Sequence, residues 1–593
     1  MDSTLAANLP EKGHASAGVR GSRVSDLERE ASIETGLAAA IGQSEPVTNS
    51  KRFEEDLKNG SVQDTLEVDN GTSSTADENH LSGRALFTLM VGLTMAAFLL
   101  MIDSTVLVTA IPTITSAFNA LDDVGWYGSS YLLTTCALQL QFGKIYQYYS
   151  SKGVFIIAFA IFEVGSLVCA VARNSTMFIL GRAISGAGGA GVLNGGYLII
   201  AAASPLQVRP KLIGIMLGIA SLGVAIGPLI GGALTQYASW RWCFYINLPL
   251  GAVTGLALVL TRVPDTRIDA HFKVSFRKQV ERLDILGSAL FASVIVMLLI
   301  ALNWGGVKYR WESPVIIGLL CGSMVAFVVF ILWEHRQGET AMLPVEYFRD
   351  IKICCCVATS MMSYGGLYVT IVYLPLWFQA VKGVSALRSG IYYLPSVLTT
   401  VTFTIVSGFL VSLVGLYIPF MIAGGVIAAI AGGLMTTFSS GSSAAPWICY
   451  QLLNGVARGL MSQIPVTAIQ ANVSKQQMST ATALVVFSQN FGASLFISLG
   501  QTVFQNRLLS ALIEYAPEVE ANQIIEAGAA NYRAIVPETS LKSVIEAFNE
   551  AVTSTFYLAA GSSVAIFILA WGLGWTSVKH RLPDEPGSNE EDS

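Results

Sequence analysis

The feature that most constrains this chain is a series of apolar runs, each about 20 residues or longer, between residues 85 and 576. A helix of that length rises about 30 Å, which is the thickness of the hydrocarbon core of a bilayer. Only 13% of the residues are charged and 53% are hydrophobic, so few polar side chains remain to cover a water-soluble surface. The chain is therefore expected to be an all-α polytopic membrane protein.

The breaks between these runs predict fourteen spanning helices. Six precede a polar, basic stretch at 262–282, two follow it, and six more follow a second polar stretch at 334–352. The predicted helices lie at 86–113, 124–142, 153–173, 177–203, 211–238, 242–262, 284–303, 315–333, 351–379, 386–413, 417–438, 446–470, 479–504 and 552–576.

The two ends of the chain and its connections set the expected orientation. Residues 1–84 carry 15 acidic and 8 basic residues, which predicts a disordered acidic tail without a cleavable signal peptide. With both termini on one side, the connections and carboxyl-terminal tail of that side hold sixteen Lys and Arg residues against nine opposite. Because these residues resist translocation, the tails 1–84 and 577–593 are predicted to be cytoplasmic. The connection 505–550 then lies outside, and its Glu and aliphatic residues predict amphipathic surface helices.

The sequence lacks the residues that several classes of function need. The sequence holds no GxxxxGK[ST] phosphate loop, no CxxC pair and no basic patch, which argues against an ATP-driven pump, a thiol-bound metal and a nucleic acid partner. The histidines, at positions 14, 80, 271, 335 and 580, fall in tails or connections, away from any intramembrane haem or di-iron cluster. No catalytic residue, metal or cofactor is therefore expected, and neither a membrane-bound enzyme nor a receptor is favoured.

Four charged residues lie well inside the predicted spans: Asp103, Glu163, Arg182 and Arg458. On insertion scales each costs about 2.5 to 3.5 kcal/mol, so each is expected to face a cavity, a water path or a partner. A charge pair that only fixes helix packing is the alternative for all four.

Asp103 is the strongest candidate for coupling transport to protons. Burial disfavours the charged form of a carboxylate and a nearby guanidinium favours it, so one rearrangement can bind or release a proton. Arg182 supplies such a guanidinium, and it rises from a stripe of small residues at helical spacing that includes Ser185, Gly186 and Gly189. Glu163 is a further candidate for the same coupling.

The fifth predicted helix has the composition of a gate. Gly223, Gly227 and Gly231 recur every four residues and give a groove for close helix approach, and Gly232 extends it. Pro228 removes a backbone donor and bends the helix axis.

These residues resemble the motifs of the major facilitator superfamily, specifically its fourteen-helix drug:proton antiporter group of fungal toxin and multidrug efflux pumps. IDSTVLVTAIP around Asp103 looks like the first-helix motif of that group, and LGRAISGAGGAG around Arg182 looks like the fourth-helix arginine motif that the family associates with proton transfer. The glycines and Pro228 of the fifth helix fit the antiporter motif, and WRWCFYINLPLG resembles the segment that follows it. The resemblance covers about 85–576.

The connection between the second and third helices departs from the family pattern. In GKIYQYYSSKG, Gly143, Lys144 and Lys152 fit, but Gln147 stands at the acidic position and Ser150 at that of the second glycine. A conformational latch through that acid is therefore not expected here. A latch through Lys144, Lys152 or the neighbouring Tyr146 stays open.

The resemblance implies an architecture as well as a mechanism. Two six-helix bundles, 85–262 and 351–576, are expected to rock about a central cavity, with the connecting segment 263–350 supplying a cytoplasmic loop and two extra helices. Arg458 lies in the fourth helix of the second bundle, as Arg182 lies in the fourth helix of the first. The Gly-Pro motif occurs in the first bundle only, so coupling is expected there and substrate selection in the second.

The predicted function is export of a small amphipathic organic compound (a toxin, secondary metabolite or drug) in exchange for protons, by alternating access. An importer or exchanger of a nutrient or iron chelate on the same fold is the alternative. The expected partners are this compound, protons and the lipid bilayer, around a monomer in the plasma membrane, with a vacuolar or vesicle membrane as the alternative. The candidate cavity residues, each equally suited to an interhelical hydrogen bond, are Gln139, Asn194, Tyr364, Arg458, Gln463 and Asn490.

Overall fold

The computed structural model describes residues 80–120, 123–261, 263–264, 283–306, 308–338, 341–344 and 346–579. Most of the predicted acidic tail, nearly all of the basic stretch 262–282 and the predicted tail from residue 580 onward lie outside the described residues.

The described part of the chain is built from α-helices, and its only recorded strand-type pairing is an isolated bridge between Gly305 and Tyr309. The helices are α1 (Gly83–Phe118), α2 (Val124–Tyr148), α3 (Ser151–Ala170), α4 (Ser175–Ala203), α5 (Arg209–Tyr237), α6 (Trp242–Tyr245), α7 (Asn247–Leu260), α8 (Ile285–Trp304), α9 (Pro314–Gln337), α10 (Glu346–Arg349), α11 (Ile351–Ala380), α12 (Ala386–Val414), α13 (Ile418–Met435), α14 (Ala444–Met461), α15 (Ile464–Asn472), α16 (Met478–Tyr515), α17 (Ala521–Ile535) and α18 (Glu538–Ala570).

Twelve helical segments of the described chain are long and apolar enough to cross a bilayer, with α6 and α7 together forming one of them. Each of the fourteen predicted segments coincides with helix in the structure, but two are not among the twelve. The predicted second segment is α2, which carries polar residues such as Gln139, Gln141 and Lys144 along its length. The predicted twelfth segment is divided into α14 and α15 just before Pro465, whose ring cannot continue a regular helix.

The predicted outer connection, 505–550, is largely helical and continues the helices that flank it. Helix α16 runs on to Tyr515, and α18 begins at Glu538 rather than at residue 552. The separate helix α17 lies between them and is tied to the end of α11, where the Tyr532 hydroxyl donates to the Ala380 carbonyl at 2.7 Å. These polar turns stay helical because their apolar faces pack against one another, including Tyr532 against Phe548 at 4.5 Å between ring centroids.

The helices pack as two groups. In the first, α3 lies along α4, α1 along α5 and α2 along α4; in the second, α11 lies along α16 and α18, and α13 along α14 and α18. Helices α8 and α9 pack on each other, and α8 also contacts α2. Small residues set the close approach within the first group: a Cβ at Gly188 would lie 2.3 Å from the backbone nitrogen of Phe162 on α3.

The two groups meet most closely at one end, called here the basic end because it holds Lys144, Lys152 and Arg209. On that side Gly214 of α5 packs against Gly408 of α12, with 3.1 Å between a Cβ at Gly214 and the Gly408 Cα. Gly143 of α2 packs as closely on α16. At the opposite end of α5, Tyr237 is 83% exposed. These glycine contacts between the bundles lie toward the basic end.

Candidate functional site

An ion pair between Asp103 of α1 and Arg182 of α4 lies at the centre of the first bundle. The Arg182 Nη1 donates to the Asp103 Oδ2 at 2.5 Å, and the side chains are 0% and 1% exposed. Arg182 also donates through Nε to the Tyr127 carbonyl at 3.1 Å, and its guanidinium lies over the Tyr131 ring at 4.7 Å from the centroid. Both charged groups are therefore held by partners from neighbouring helices.

A polar bridge extends this pair to α7 and α3. The Asn247 Nδ2 donates to the Asp103 Oδ1 at 3.2 Å and to the Ser166 hydroxyl at 3.2 Å. One turn further along α7, the Glu163 carboxylate packs against Gly251, where a Cβ would displace it from its present position. Both Glu163 oxygens are buried and have no hydrogen-bond partner among the described residues. The three candidate coupling residues are thus brought together in one bundle.

The hydroxyls next to Asp103 bond to backbone carbonyls rather than to the carboxylate. The Ser104 hydroxyl donates to the Met101 carbonyl at 2.9 Å, and the Thr105 hydroxyl donates to the same carbonyl at 2.8 Å. Such back-bonding satisfies a hydroxyl within its own helix. The partners of Asp103 therefore come from other helices, as a charge buried in a membrane requires.

The glycines of the fifth-helix motif pack α5 onto α1, the helix that carries Asp103. A Cβ at Gly227 would lie 2.0 Å from the Thr105 Oγ1, and one at Gly231 would lie 2.4 Å from the Thr109 Oγ1. Gly223 makes the same kind of approach, and its carbonyl accepts from the Thr105 hydroxyl at 3.1 Å. Pro228 lies inside the helix, and Gly232 faces open space. The motif thus joins α5 to α1, while the basic end of α5 contacts the second bundle.

The candidate latch residues at the basic end are held by different partners. A Cβ at Gly143 would lie 2.7 Å from the Ala483 Cβ of α16. The Lys152 Nζ donates to the carbonyls of Val259 and Thr261, each at 2.7 Å, which ties the start of α3 to the end of α7. The Tyr146 hydroxyl donates to the Gly191 carbonyl at 3.0 Å.

Lys144 has acidic neighbours that sequence reasoning missed. Its side chain is 2% exposed and interacts electrostatically with Glu334 of α9 and with Asp284, which precedes α8. Asp284 accepts from the Gly287 nitrogen at 3.0 Å and from the Trp333 indole at 2.8 Å. The two extra helices thus supply the negative charges that Gln147 does not. The signal in the sequence was the acidic residue at each end of an otherwise apolar pair of segments.

The segment that joins α9 to the second bundle is also fixed at this end. The Glu334 Oε2 accepts from the Leu343 nitrogen at 2.8 Å, and the Tyr347 hydroxyl lies 2.7 Å from the Thr480 hydroxyl at the start of α16. Burial raises the pKa of Tyr347 to about 12, so this phenol keeps its proton at neutral pH.

Comparison with known proteins identifies the family. The sequence profile of the Major Facilitator Superfamily matches residues 93–497, more than half of the chain. The chain belongs to the major facilitator superfamily.

Curated relatives and solved structures agree with this assignment. The chain is 44% identical to the MFS-type transporter pigP of Monascus ruber over 88% of this chain and 91% of that one, and 41% identical to the efflux pump mlcE of Penicillium citrinum over 90% and 97%. Its fold resembles that of the MFS proton:xylose symporter XylE, with a TM-score of 0.55, 14% identity, and coverage of 83% of this chain and 98% of that one.

The major facilitator fold accounts for the architecture. The protein is an all-α integral membrane transporter, and its family handles small-molecule substrates.

The candidate cavity residues are spread over both bundles of this major facilitator protein. The Gln139 Nε2 donates to the Ala190 carbonyl at 3.1 Å inside the first bundle, and the Gln463 Nε2 donates to the Ser407 hydroxyl at 3.4 Å inside the second. The Asn194 side chain and the Asn490 Nδ2 are buried without a hydrogen-bond partner in the described part of the chain. Two of these amides therefore join helices of one bundle, and two keep unused donors.

Four tyrosines of the two bundles, called here the tyrosine seam, lie within electrostatic range of one another in two pairs. Tyr131 of α2 pairs in this way with Tyr368 of α11, and Tyr197 of α4 with Tyr364 of α11. Of the four, sequence reasoning selected only Tyr364. The spacing of four residues between Tyr364 and Tyr368 places them on one face of α11, and this was the available signal. Tyr131 also lies under the Arg182 guanidinium, so one member of the seam contacts the buried ion pair.

Proposed function

We propose that this protein exports a small amphipathic organic compound in exchange for protons, by alternating access. The observation that carries the proposal is the buried pair of Asp103 and Arg182, linked through Asn247 to the neighbourhood of Glu163. The direction is supported by the relatives that are named efflux pumps, mlcE of Penicillium citrinum and mokI of Monascus pilosus.

A proton on Asp103 changes the balance of forces in the first bundle. It removes the negative charge that Arg182 contacts at 2.5 Å and leaves the guanidinium with the Tyr127 carbonyl and the Tyr131 ring. Removing one partner of a buried ion pair costs about 3 to 5 kcal/mol. After protonation, a second arrangement of the helices, in which Arg182 contacts water or another partner, is favoured over the first by a comparable amount. Protonation therefore biases a two-state equilibrium.

The packing of α5 offers a route from this charge to the bundle interface. The hydroxyl of Thr105, two residues after Asp103, bonds to the Gly223 carbonyl of α5. About two and a half turns earlier on α5, Gly214 touches Gly408 of α12 in the second bundle. A shift of α1 on protonation thus moves α5, whose other end forms the bundle contact. Glu163, with two unpartnered oxygens in the described structure, is the second place where a proton binds.

The proton gradient supplies enough energy without a bound cofactor. One proton that enters down a potential of about 100 mV and a difference of about one pH unit releases about 3.7 kcal/mol. That energy supports a gradient of roughly 500-fold for a neutral solute.

The glycine contacts between the bundles toward the basic end fit one state of this cycle. If both termini are cytoplasmic, as the distribution of Lys and Arg predicts, the basic end is the cytoplasmic gate and it is closed here. We place the protein in the plasma membrane as a monomer, facing outward in this state. The same cycle in a vacuolar or vesicle membrane would fill that compartment instead.

Untargeted metabolite profiling of cells with and without the protein identifies the exported compound. Inside-out membrane vesicles then test the mechanism: an acid-loaded lumen is expected to drive uptake of that compound, and a protonophore is expected to abolish it. Asp103→Asn and Arg182→Ala are expected to lose gradient-driven uptake, whereas Ser104→Ala, whose hydroxyl serves only its own helix, is the matched control and keeps it. Full gradient-driven transport by both variants refutes the assignment, and uptake only into right-side-out vesicles reverses the direction.

A further inference from the structure

We propose that Arg458 binds the carboxylate of the transported compound, so that the substrates of this protein are small amphipathic organic acids in their anionic form. This inference rests on the proposed export function and adds the chemical class of the substrate. It arises from a buried charge in the second bundle that the coupling mechanism does not use.

Arg458 is buried in α14 and makes few contacts for its charge. Its side chain is 3% exposed, and its Nη1 donates to the Ser363 carbonyl of α11 at 3.0 Å. Its Nε and Nη2 are buried and have no hydrogen-bond partner anywhere in the described structure. A buried guanidinium cannot lose its proton under ordinary conditions, so this charge and its two free donors persist.

Among the described residues, no acid of the second bundle interacts with Arg458. The sequence contains no Asp or Glu between Asp350 and Glu514, and none between Ala551 and Trp575. The titratable group that interacts with Arg458 in the described residues is the Tyr393 phenol. Arg182, at the corresponding place in the first bundle, has Asp103 at 2.5 Å. The two arginines thus lie in the fourth helix of their bundles, but within the described part of the chain Arg182 has a counter-charge and Arg458 does not.

The free nitrogens of Arg458 have the geometry of a carboxylate receptor. Nε and Nη2 lie on one edge of the planar guanidinium, and their two N–H bonds point in the same direction, which matches the two oxygens of a carboxylate. The Nη1 bond to Ser363 fixes the opposite side of the group and thereby aims the free edge. A buried charge without a partner is unfavourable, so binding of an anion at this edge of the guanidinium is favourable.

The surroundings of Arg458 are polar and small. A Cβ at Gly366 would lie 2.7 Å from the Arg458 Nη2, so the guanidinium packs directly on α11 at this glycine. The Ser360 hydroxyl, one turn before Ser363 on α11, is also buried with no partner in the described chain.

The apolar part of such a substrate also has a surface on the same helix. Tyr364 follows directly on Ser363, and Tyr368 lies one turn further along α11 on the same face as Tyr364. Aromatic faces bind planar apolar groups, and their hydroxyls tolerate a polar edge. An aromatic or conjugated acid therefore fits the combination of a cationic fork and the aromatic residues that follow Ser363.

The test compares two probes that differ in charge alone. 1-Naphthoate carries a carboxylate, and 1-naphthamide is its neutral isostere; binding of each is measured by calorimetry on the full-length protein in nanodiscs at neutral pH. The wild-type protein is expected to bind the carboxylate at least about tenfold more tightly, which corresponds to one charge-assisted contact. Arg458→Gln is expected to bind both probes equally, and Arg458→Lys, which keeps the charge but not the fork, is expected to retain part of the preference. Unchanged affinity for the amide shows that each variant is folded.

Three further results separate the competing explanations. Equal affinity of the wild-type protein for the two probes, or a preference that survives in Arg458→Gln, refutes the proposal. Repeating the titration with gluconate in place of chloride tests an inorganic occupant: an Arg458-dependent stabilisation by chloride, without a preference for naphthoate, shows a halide site instead and also refutes it. Asp103→Asn is expected to keep the preference for the acid while losing gradient-driven transport, so failure of the coupling mechanism and failure of this site are distinguishable.

Discussion

The pair formed by Asp103 and Arg182 predicts strong energetic coupling that can be measured apart from transport. The two groups are 2.5 Å apart and essentially unexposed, so removal of either partner leaves a charge where water does not reach. Asp103→Asn is expected to destabilise the protein by about 3 to 5 kcal/mol, because the guanidinium stays charged. Arg182→Gln is expected to lose a similar amount at high pH and less at low pH, because the carboxylate can then take up a proton.

The double variant Asp103→Asn with Arg182→Gln makes this prediction decisive. It contains neither charge, so its loss is expected to fall short of the combined single losses by at least about 2 kcal/mol. Unfolding in mixed micelles with rising sodium dodecyl sulfate, followed by tryptophan fluorescence, measures each free energy. The solvent-exposed pair of Arg310 and Glu312 is the control and is expected to show no such coupling. Additive losses at positions 103 and 182 would mean that the buried pair does not hold α1 to α4.

The remaining predictions concern packing at the two ends of the transport path. Gly227→Ala is expected to lower the free energy of unfolding by about 1 to 3 kcal/mol and to impair transport, because its Cβ meets the Thr105 hydroxyl; Gly232→Ala, which faces open space, is expected to be neutral or slightly stabilising in the same unfolding assay. Gly143→Ala is expected to wedge α2 away from α16 and to speed amide hydrogen exchange at the start of α16. Lys144→Gln is also expected to speed amide hydrogen exchange at the start of α16, through loss of charge rather than through added volume. Unchanged exchange in both variants would show that the contact of α2 with α16 does not close the basic end.

The spanning helices could be predicted from sequence because a helix that crosses the membrane needs a long apolar run. The ends of α16 and α18 were not, because a helix that leaves the bilayer can continue through polar residues when other helices pack against it, as α17 does near Tyr532. Hydropathy marks the edge of the hydrocarbon and carries no information on that continuation.

The candidate site also has features that could be predicted from sequence and features that could not. Asp103 and Arg182 stood out because a charge in an apolar run needs a partner, and the two are partners in the structure. Glu163 stood out for the same reason, yet its position against Gly251 depends on the angle between α3 and α7, which periodicity does not specify. The absence of Asp and Glu around Arg458 could be seen in the sequence. Only the packed bundle shows that the Arg458 Nε and Nη2 have no partner in the described chain.

The neighbours of Lys144 give the two additional helices a role that mere spacers would not have. Asp284 and Glu334 stand at the ends of α8 and α9 nearest to the buried ammonium group of α2, and Trp333 and Leu343 hold them there. Excising α8 and α9 to produce a shortened twelve-helix protein would therefore remove both of these acids from beside the buried ammonium group. Any such minimal version is expected to lose stability unless an acid is restored near Gln147 or Lys144 is replaced by a neutral residue.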